Sequence, residues 1–264
     1  MIDAYILNVF TGNTACGNPA AVVKLEAWVP LDILQALSGK LEQPVTSFIV
    51  EANEGYEIRW FAKEIEINLC GHGSLAAAAA IFEMIPDHAP VVTLFSKHGT
   101  VTVTKSSDAF TMTMPGWKEA RCSGLAKHAD MLGLEAIDVF STRDLVIVLE
   151  HVEQVRRYQP DFDKISSIND FHATILTARN GNNGYVLRYF APSIGINEDL
   201  ATGSAQCSLG PYWFEQLSLQ ELEVTQLSQQ GGYFQVKQAS VDTIELIANV
   251  RLQEIVKLIK KDGK

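Results

Sequence analysis

The sequence predicts a protein of two similar lobes, each with many strands and about two helices. The main indication is a decapeptide, RWFAKEIEIN at residues 59–68, which returns as RYFAPSIGIN at residues 188–197 with six identical positions. Each copy precedes a Gly-containing turn that opens a helix, in LCGHGSLAAAAAIF and in EDLATGSAQCSLGPYWF respectively. A strand, a turn and a helix start that occur twice in one chain indicate an internal structural repeat.

Composition limits the class of protein. A chain of 264 residues, 47% apolar and 20% charged, is an ordinary globular protein with a substantial core. The net charge of −10 argues against a nucleic-acid partner, which would need a basic surface. The sequence has no bilayer-length apolar segment and no N-terminal signal pattern, so we expect a cytoplasmic protein without a membrane partner. The four cysteines lie far apart without a CxxC motif, which favours reduced thiols over disulfides or a zinc ribbon.

The first half alternates predicted strands and helices. β-branched and aromatic residues predict strands in DAYILNVF, AAVVKL, TSFIVEA and YEIRWFA, followed by a meander of VVTLFSK, TVTVTK and AFTMTMP. Helical spacing of apolar residues after a proline predicts a helix in PLDILQALSGKL. Intrinsic propensity predicts a second helix in GHGSLAAAAAIFEMI.

The second half repeats this alternation. Strands are predicted in DVFSTR, DLVIVLE, HATILTA, GYVLRYFA, LEVTQLS, YFQVKQ and TIELIANV, with helices near HVEQVRRY and after TGSAQ. The final NVRLQEIVKLIKK is compatible with either a strand or a helix. The pattern breaks in PGWKEARCSGL, between Pro115 and Leu125. We therefore expect lobes at residues 1–117 and 118–264.

The alanine-rich helix and its Gly turn suggest an anion site. SLAAAAAIF carries almost no side-chain bulk and no charge before Glu83, which is typical of a helix wrapped by strands. Helix N-termini present unpaired N–H groups and a partial positive charge. Two such helix starts facing each other would hold a small anion such as a carboxylate. The plain alternative is that both are buried core helices.

Three segments resemble a known family. GNPAAVV at residues 17–23, IRWFAKEIEINLCGHGSLAAA at residues 58–78 and RYFAPSIGINEDLATGSAQCSLGPYW at residues 188–213 are similar to the phenazine-biosynthesis F-type (PhzF-like) isomerases. The resemblance covers residues 3–215. It implies the diaminopimelate-epimerase-like α+β fold: two pseudo-symmetric lobes, each a strongly bent, mostly antiparallel sheet around a central helix. It also implies an active site in the cleft between the lobes. The sequence does not give the oligomeric state, and a homodimer is expected only as the commonest soluble assembly.

The resemblance implies proton transfer at a carbon atom without a metal or organic cofactor. His72 and Asp199 match site residues of the family and are the expected acid and base. The substrate, a small carboxylic acid, would be bound by Asn18, Thr202 and Ser204 and by the turns that contain Gly71, Gly73 and Gly203. Taken one at a time, these residues have structural alternatives: a histidine in a turn, an Asp that caps a helix, and a GNP turn.

One departure from the family pattern concerns its catalytic glutamate. The isomerases have a stretch of the form LSETAF, and this chain has QPVTSF, which places Val45 at the glutamate position. Glu42 lies three residues earlier, before Pro44, and is a poor substitute. Valine cannot carry a proton, so the chemistry has either moved to another residue or been lost.

Cys70 is one residue that could take over the proton transfer of the missing glutamate. In the epimerase branch of the fold, two thiols flank the substrate carbon; Cys70 stands at the first position and Thr202 at the second. A thiol at a helix N-terminus has a lowered pKa and can act as a base. Three functions remain open: an isomerase, which we favour, a one-base lyase or dehydratase that uses Cys70, and a non-catalytic relative that binds a small anion or a partner.

Overall fold

The computed structural model describes residues 2–68, 70–85 and 88–258. Within the described part of the first half there are two helices, α1 (Leu31–Leu41) and α2 (Gly71–Met84). Its strands are β1 (Ile2–Thr11), β2 (Asn18–Leu25), β3 (Thr46–Ala52), β4 (Gly55–Ala62), β5 (Ile65–Ile67), β6 (Val91–Ser96), β7 (Gly99–Ser106) and β8 (Ala109–Pro115). Both helices and all the strands predicted for this half are confirmed, and β5 is an addition.

The second half contains four α-helices among the described residues, where about two were predicted. They are α3 (Ala126–Met131), α4 (Val152–Arg157), α5 (Phe162–Ser166) and α6 (Gln206–Leu217), with short 3₁₀ helices at Pro192–Ile194 and Gly203–Ala205. Its strands are β9 (Ala136–Ser141), β10 (Leu145–Leu149), β11 (Thr174–Asn180), β12 (Gly184–Phe190), β13 (Glu221–Gln226), β14 (Gly232–Gln238) and β15 (Thr243–Leu258). The ambiguous C-terminal segment is therefore a strand as far as it is described. None of the described helices is long and apolar enough to cross a membrane.

The chain divides into two compact units. Unit 1 comprises Met1–Thr11, Asn18–Thr113 and Ala248–Lys264, and unit 2 comprises Gly12–Gly17 and Met114–Ile247. The last strand contributes to both: residues 244–247 pair with β14 and residues 249–258 pair with β1. The lobes predicted at 1–117 and 118–264 are continuous segments and stay a prediction.

The two units have the same order of strand pairings. Along β1–β2–β3–β4–β6–β7–β8, successive neighbours pair antiparallel, parallel, antiparallel, parallel, antiparallel and antiparallel. Along β9–β10–β11–β12–β13–β14–β15 the sequence of pairings is identical. The repeated decapeptide is thus the part of a larger structural repeat that is visible in the sequence, and this repeat comprises the whole series of strands in each unit. The predicted mostly antiparallel α+β fold class is confirmed.

Each unit surrounds one buried helix that follows the repeat. In α2, every residue from Gly73 to Phe82 is buried, and the helix packs against β1, β2, β3, β6 and β7. The run of alanines makes this possible because a methyl group lets neighbouring strands approach the helix closely. In unit 2, α6 packs against β13 and β14, and its Trp213 indole donates a hydrogen bond to Thr177 Oγ1 at 3.0 Å.

The structural repeat is longer than the decapeptide. It begins four residues earlier, at the Gly-Tyr pairs that open β4 and β12. A Cβ on Gly55 would lie 2.3 Å from the Thr93 carbonyl oxygen, and one on Gly184 would lie 2.2 Å from that of Glu223. Both glycines therefore allow the parallel neighbour strand to come close to the strand that carries the repeat.

The arginine of each copy clamps the segment that follows it. Arg59 forms two hydrogen bonds to Glu66, at 2.7 and 2.6 Å, in the β4–β5 hairpin. Arg188 forms the corresponding pair to Glu198, at 2.7 and 2.9 Å, and Glu198 directly precedes Asp199. Because a bidentate pair fixes the geometry of both partners, Arg188 restrains the segment that carries Asp199.

Replacing Gly184 by alanine is expected to destabilise the protein by about 3 kcal/mol, because the new methyl group has to displace the backbone of β13. Gly181 in the same hairpin is the matched control. It has a φ of +67° and nothing within 4 Å of its Cβ position. Its alanine variant should therefore lose only about 1 kcal/mol of stability, the cost of a strained backbone. Urea unfolding of both variants measures the difference, and equal losses would contradict the close-approach argument.

Candidate functional site

The start of α2 is packed tightly against strands β3 and β4. A Cβ on Gly73 would lie 2.8 Å from Ser47 Oγ, 2.9 Å from Trp60 Cδ1 and 3.0 Å from Val45 Cγ1. Ser47 Oγ also donates a hydrogen bond to the Gly73 carbonyl at 2.9 Å. Only glycine fits at position 73, so the CGHG turn has a structural reason for its second glycine.

Cys70 is the N-cap residue of α2. Its backbone is extended (φ −142°, ψ 107°), and its Sγ accepts a hydrogen bond from the Gly73 N–H at 3.4 Å. Its carbonyl oxygen accepts from the Ser74 N–H at 2.9 Å and from Ser74 Oγ at 2.8 Å. The thiol thus takes the place of the usual hydroxyl or carboxylate cap.

His72 lies beside that thiol, with Nδ1 3.4 Å from Cys70 Sγ. Its Nε2 is enclosed and has no hydrogen-bond partner among the residues that the structure describes. Burial lowers the pKa of His72 from 6.5 to about 4. The imidazole is therefore neutral at physiological pH, with one nitrogen engaged by the thiol and the other available.

Val45 is only 5% exposed and lies against the same turn, as its distance to the Gly73 Cβ position shows. A side chain at position 45 therefore adjoins the start of α2, where the sequence comparison expects a glutamate in the isomerases. Glu42, by contrast, is exposed at the C-cap of α1 with a left-handed φ of 52°. Asn18 is buried at the first position of β2, a strand against which α2 packs.

Asp199 in unit 2 is held by its neighbours in the DLATGS turn. Its N–H donates to the Tyr189 carbonyl at 3.0 Å, and its Oδ2 accepts from Thr202 Oγ1 at 2.6 Å. Thr202 therefore acts as a hydroxyl donor that orients the Asp199 carboxylate. Gly203 and Ser204 begin the 3₁₀ turn that leads into α6.

Gln226 connects the two ends of this turn, and the sequence analysis missed it. The fully buried side chain accepts a hydrogen bond from the Thr202 N–H at 2.8 Å. Its amide nitrogen donates to the Asp199 carbonyl at 2.8 Å and to Thr202 Oγ1 at 3.1 Å. A glutamine at the end of a strand gives no sequence signal for this role.

A second polar cluster lies beside Ser204 and was also missed. Arg143 donates hydrogen bonds to the buried Asp144 and to Tyr189 Oη, and its Nη2 lies 3.2 Å from Ser204 Oγ. Burial raises the pKa of Tyr189, so the phenol stays protonated. The only sequence signal was an Arg–Asp pair directly before the apolar strand LVIVL.

The sequence-predicted site residues thus form two groups. Unit 1 holds Cys70, Gly71, His72 and Gly73 in one turn, together with buried Asn18, and unit 2 holds Asp199, Thr202, Gly203 and Ser204. The shared anion cradle stays a prediction. A cavity of about 210 Å³ in unit 1 lies elsewhere, lined by side chains that include Arg59, Glu66 and Lys97 and by none of these residues. Among the described ranges, no three His, Cys, Asp or Glu side chains are grouped to ligate a metal ion.

The two units with one pairing order, each with a Gly turn before its buried helix, form an epimerase-like fold. The chain belongs to the PhzC–PhzF family of phenazine biosynthesis-like proteins, whose model matches residues 7–251. The resemblance inferred from the three sequence segments is therefore confirmed.

Relatives and solved structures agree with this assignment. The chain is 48% identical over 254 residues to an uncharacterized isomerase of Vibrio cholerae, covering 96% of this chain and 89% of the relative. A structure of a PhzC/PhzF phenazine biosynthesis protein from Clostridium difficile has a TM-score of 0.90 at 32% identity, covering 98% and 100% of the two chains. A hydroxyproline epimerase from Agrobacterium vitis shares the fold alone, at 12% identity and a TM-score of 0.61 over 97% and 90%.

Lowering the pH is expected to destabilise the protein through His72. Its folded pKa of about 4 lies below the ordinary 6.5, so the unfolded chain binds the proton first as the pH falls. The contribution of neutral His72 to the free energy of unfolding is fully present above pH 6.5. It decreases as the pH falls towards 4 and is lost below pH 4. At 1.4 kcal/mol per pKa unit, the loss approaches roughly 3 kcal/mol.

Urea unfolding between pH 6.5 and pH 4 measures this effect. The free energy of unfolding should fall less steeply in His72→Gln than in the wild type, since other titrating groups are common to both. His151→Gln, which removes an exposed histidine at the start of α4, should keep the wild-type slope. Parallel slopes for the wild type and His72→Gln would show that burial does not hold His72 neutral.

Proposed function

We propose that the protein is a cofactor-independent isomerase of a small carboxylic acid, which removes a proton from one carbon and returns a proton to another. The observation that carries the proposal is the state of His72: a neutral imidazole with an enclosed Nε2 that has no partner among the described residues. A neutral imidazole nitrogen carries a lone pair that can accept a proton. Family membership and the isomerase names of relatives support the same class of reaction.

Asp199 is the proposed second proton-handling group. Its carboxylate is oriented by Thr202 Oγ1 at 2.6 Å, and its backbone is anchored by Gln226 and Tyr189. A reaction that moves a proton between two carbons needs one group to take the proton and a group to give one back. His72 and Asp199 are the two groups proposed for these roles.

Carbon-bound deuterium, followed by NMR in D₂O with a panel of amino and aromatic acids, tests the proposal. Asp199→Asn and His72→Gln should each lower the exchange rate by a factor of about 10² or more. The controls are Asp161→Asn and His151→Gln, which alter an Asp and a His at the starts of other helices, α5 and α4. Both should exchange at the wild-type rate. No exchange in the wild type with any acid would contradict the proposal.

Cys70→Ser separates the isomerase from the lyase that uses Cys70. Serine is a good N-cap, so this variant keeps the cap of α2 and removes only the thiol. We expect near-wild-type exchange, because Cys70 already accepts a hydrogen bond from the Gly73 N–H and lies against His72 Nδ1. A loss of about 10² would make the thiol the base and favour the lyase or dehydratase.

A non-catalytic anion binder is the second candidate, and buried, apolar Val45 beside the Gly73 turn favours it. Under this candidate the wild type shows no exchange. Val45→Glu then supplies an ionisable group at the turn, while Val45→Gln has the same size and no transferable proton. Exchange in Val45→Glu but not in Val45→Gln or the wild type would show that the site lacks only the carboxyl group at position 45. Exchange in the wild type would exclude this candidate.

A further inference from the structure

Arg143, between β9 and β10, is fixed on three sides. Its Nε and Nη2 donate to the two carboxylate oxygens of Asp144, each at 3.1 Å, and Asp144 is fully buried. Nη2 also donates to Tyr189 Oη at 3.1 Å. The guanidinium lies over the Trp117 ring, with 4.9 Å between its central carbon and the ring centroid. Its planar fork therefore has one orientation.

One nitrogen of the Arg143 guanidinium, Nη1, is not used by these contacts. Among the residues that the structure describes, Arg143 Nη1 makes no hydrogen bond, and 37% of the side chain is exposed. Arg121 in the same unit differs, although it also lies over an aromatic ring. Its three nitrogens are all engaged by two carboxylates, Glu119 and Asp138. The two N–H groups of Arg143 Nη1 are thus free to bind a ligand.

The neighbours of Arg143 belong to the proposed site. Nη2 lies 3.2 Å from Ser204 Oγ, the hydroxyl that the sequence predicts near the substrate. Tyr189, whose phenol accepts a hydrogen bond from Arg143, also accepts the Asp199 N–H through its carbonyl. Tyr189 therefore contacts both the guanidinium of Arg143 and the backbone of Asp199. Asp144 balances the charge of Arg143, so a ligand would be recognised by directed N–H donors more than by net charge.

We infer that Arg143 is a specificity-determining residue that binds the carboxylate of the substrate through Nη1, a role that rests on the proposed isomerase site. The rigid fork supplies the donors in a fixed direction, and the Ser204 hydroxyl lies at its edge. Placing the carboxylate at Arg143 leaves Asp199, on the adjoining segment, to act on a carbon near that carboxylate. Such a carbon is the more acidic one in a carboxylic acid, which fits proton transfer.

Equilibrium binding of benzoate and of its neutral counterpart benzamide tests this inference, by calorimetry and by tryptophan fluorescence. Trp117 stacks on Arg143, so ligation of the arginine should alter its emission. The wild type should bind benzoate in the millimolar range, and Arg143→Gln should bind it at least about tenfold more weakly, the scale of one lost charged hydrogen bond. Benzamide affinity should be the same in both proteins. Arg143→Lys should also bind benzoate weakly, because lysine lacks the fork.

Two further variants separate binding from folding. Arg143→Gln leaves Asp144 buried without its counter-ion, so the double variant Arg143→Gln/Asp144→Asn removes both charges and should still have lost benzoate affinity. Arg121→Gln is the matched control and should bind benzoate as the wild type does. Equal benzoate affinity in the wild type and the folded double variant would overturn the inference. A wild type that binds neither benzoate nor acetate would overturn it as well.

The same experiment distinguishes this inference from the proposed function. Asp199→Asn should lose deuterium exchange but keep benzoate affinity, since it leaves Arg143 unchanged. Arg143-dependent benzoate binding without exchange in the wild type would support the role of Arg143 and refute the isomerase. Exchange that persists at the wild-type rate in Arg143→Gln would refute the role of Arg143 and support the isomerase.

Discussion

The contact between the start of α2 and strands β3 and β4 is the constraint on which the predicted site residues of unit 1 depend. A glycine at position 73 lets the helix backbone come within reach of Ser47, Trp60 and Val45. The same turn carries His72, whose Nε2 is enclosed and whose ring is kept neutral by burial. It also carries the Cys70 thiol, which caps the helix. One missing side chain thus sets the packing of the turn that holds both residues.

The repeated architecture carries different chemistry in its two copies. Both units use the same pairing order, a Gly at the start of the repeat strand and an Arg–Glu clamp after it. The turns that follow differ: unit 1 presents a thiol and an imidazole, whereas unit 2 presents a carboxylate fixed by Thr202 and Gln226. The two units thus share a scaffold and differ in the reactive side chains of their turns.

The sequence predicted the elements that show a residue pattern. It missed the side-chain roles that depend on contacts between residues far apart in the sequence. Apolar spacing and alanine content identified α1 and α2, but α3 and α5 have only six and five residues, too few to show a period. Asp199 and Thr202 were accessible through the resemblance of EDLATGS to the family's motif. Gln226 and the burial of Asp144 were not, because both depend on contacts across the fold: Gln226 bonds to a turn 24 residues away.

The shared strand β15 has a consequence for the order of folding. Residues 249–258 pair with β1, so an edge of β1 is completed by a segment that follows unit 2 in the sequence. Unit 1 therefore acquires this edge only after unit 2 has been synthesised. Until then the free edge of β1 is exposed to other chains, and such edges favour aggregation. Unit 1 is thus open to strand pairing with other chains for as long as unit 2 is being synthesised.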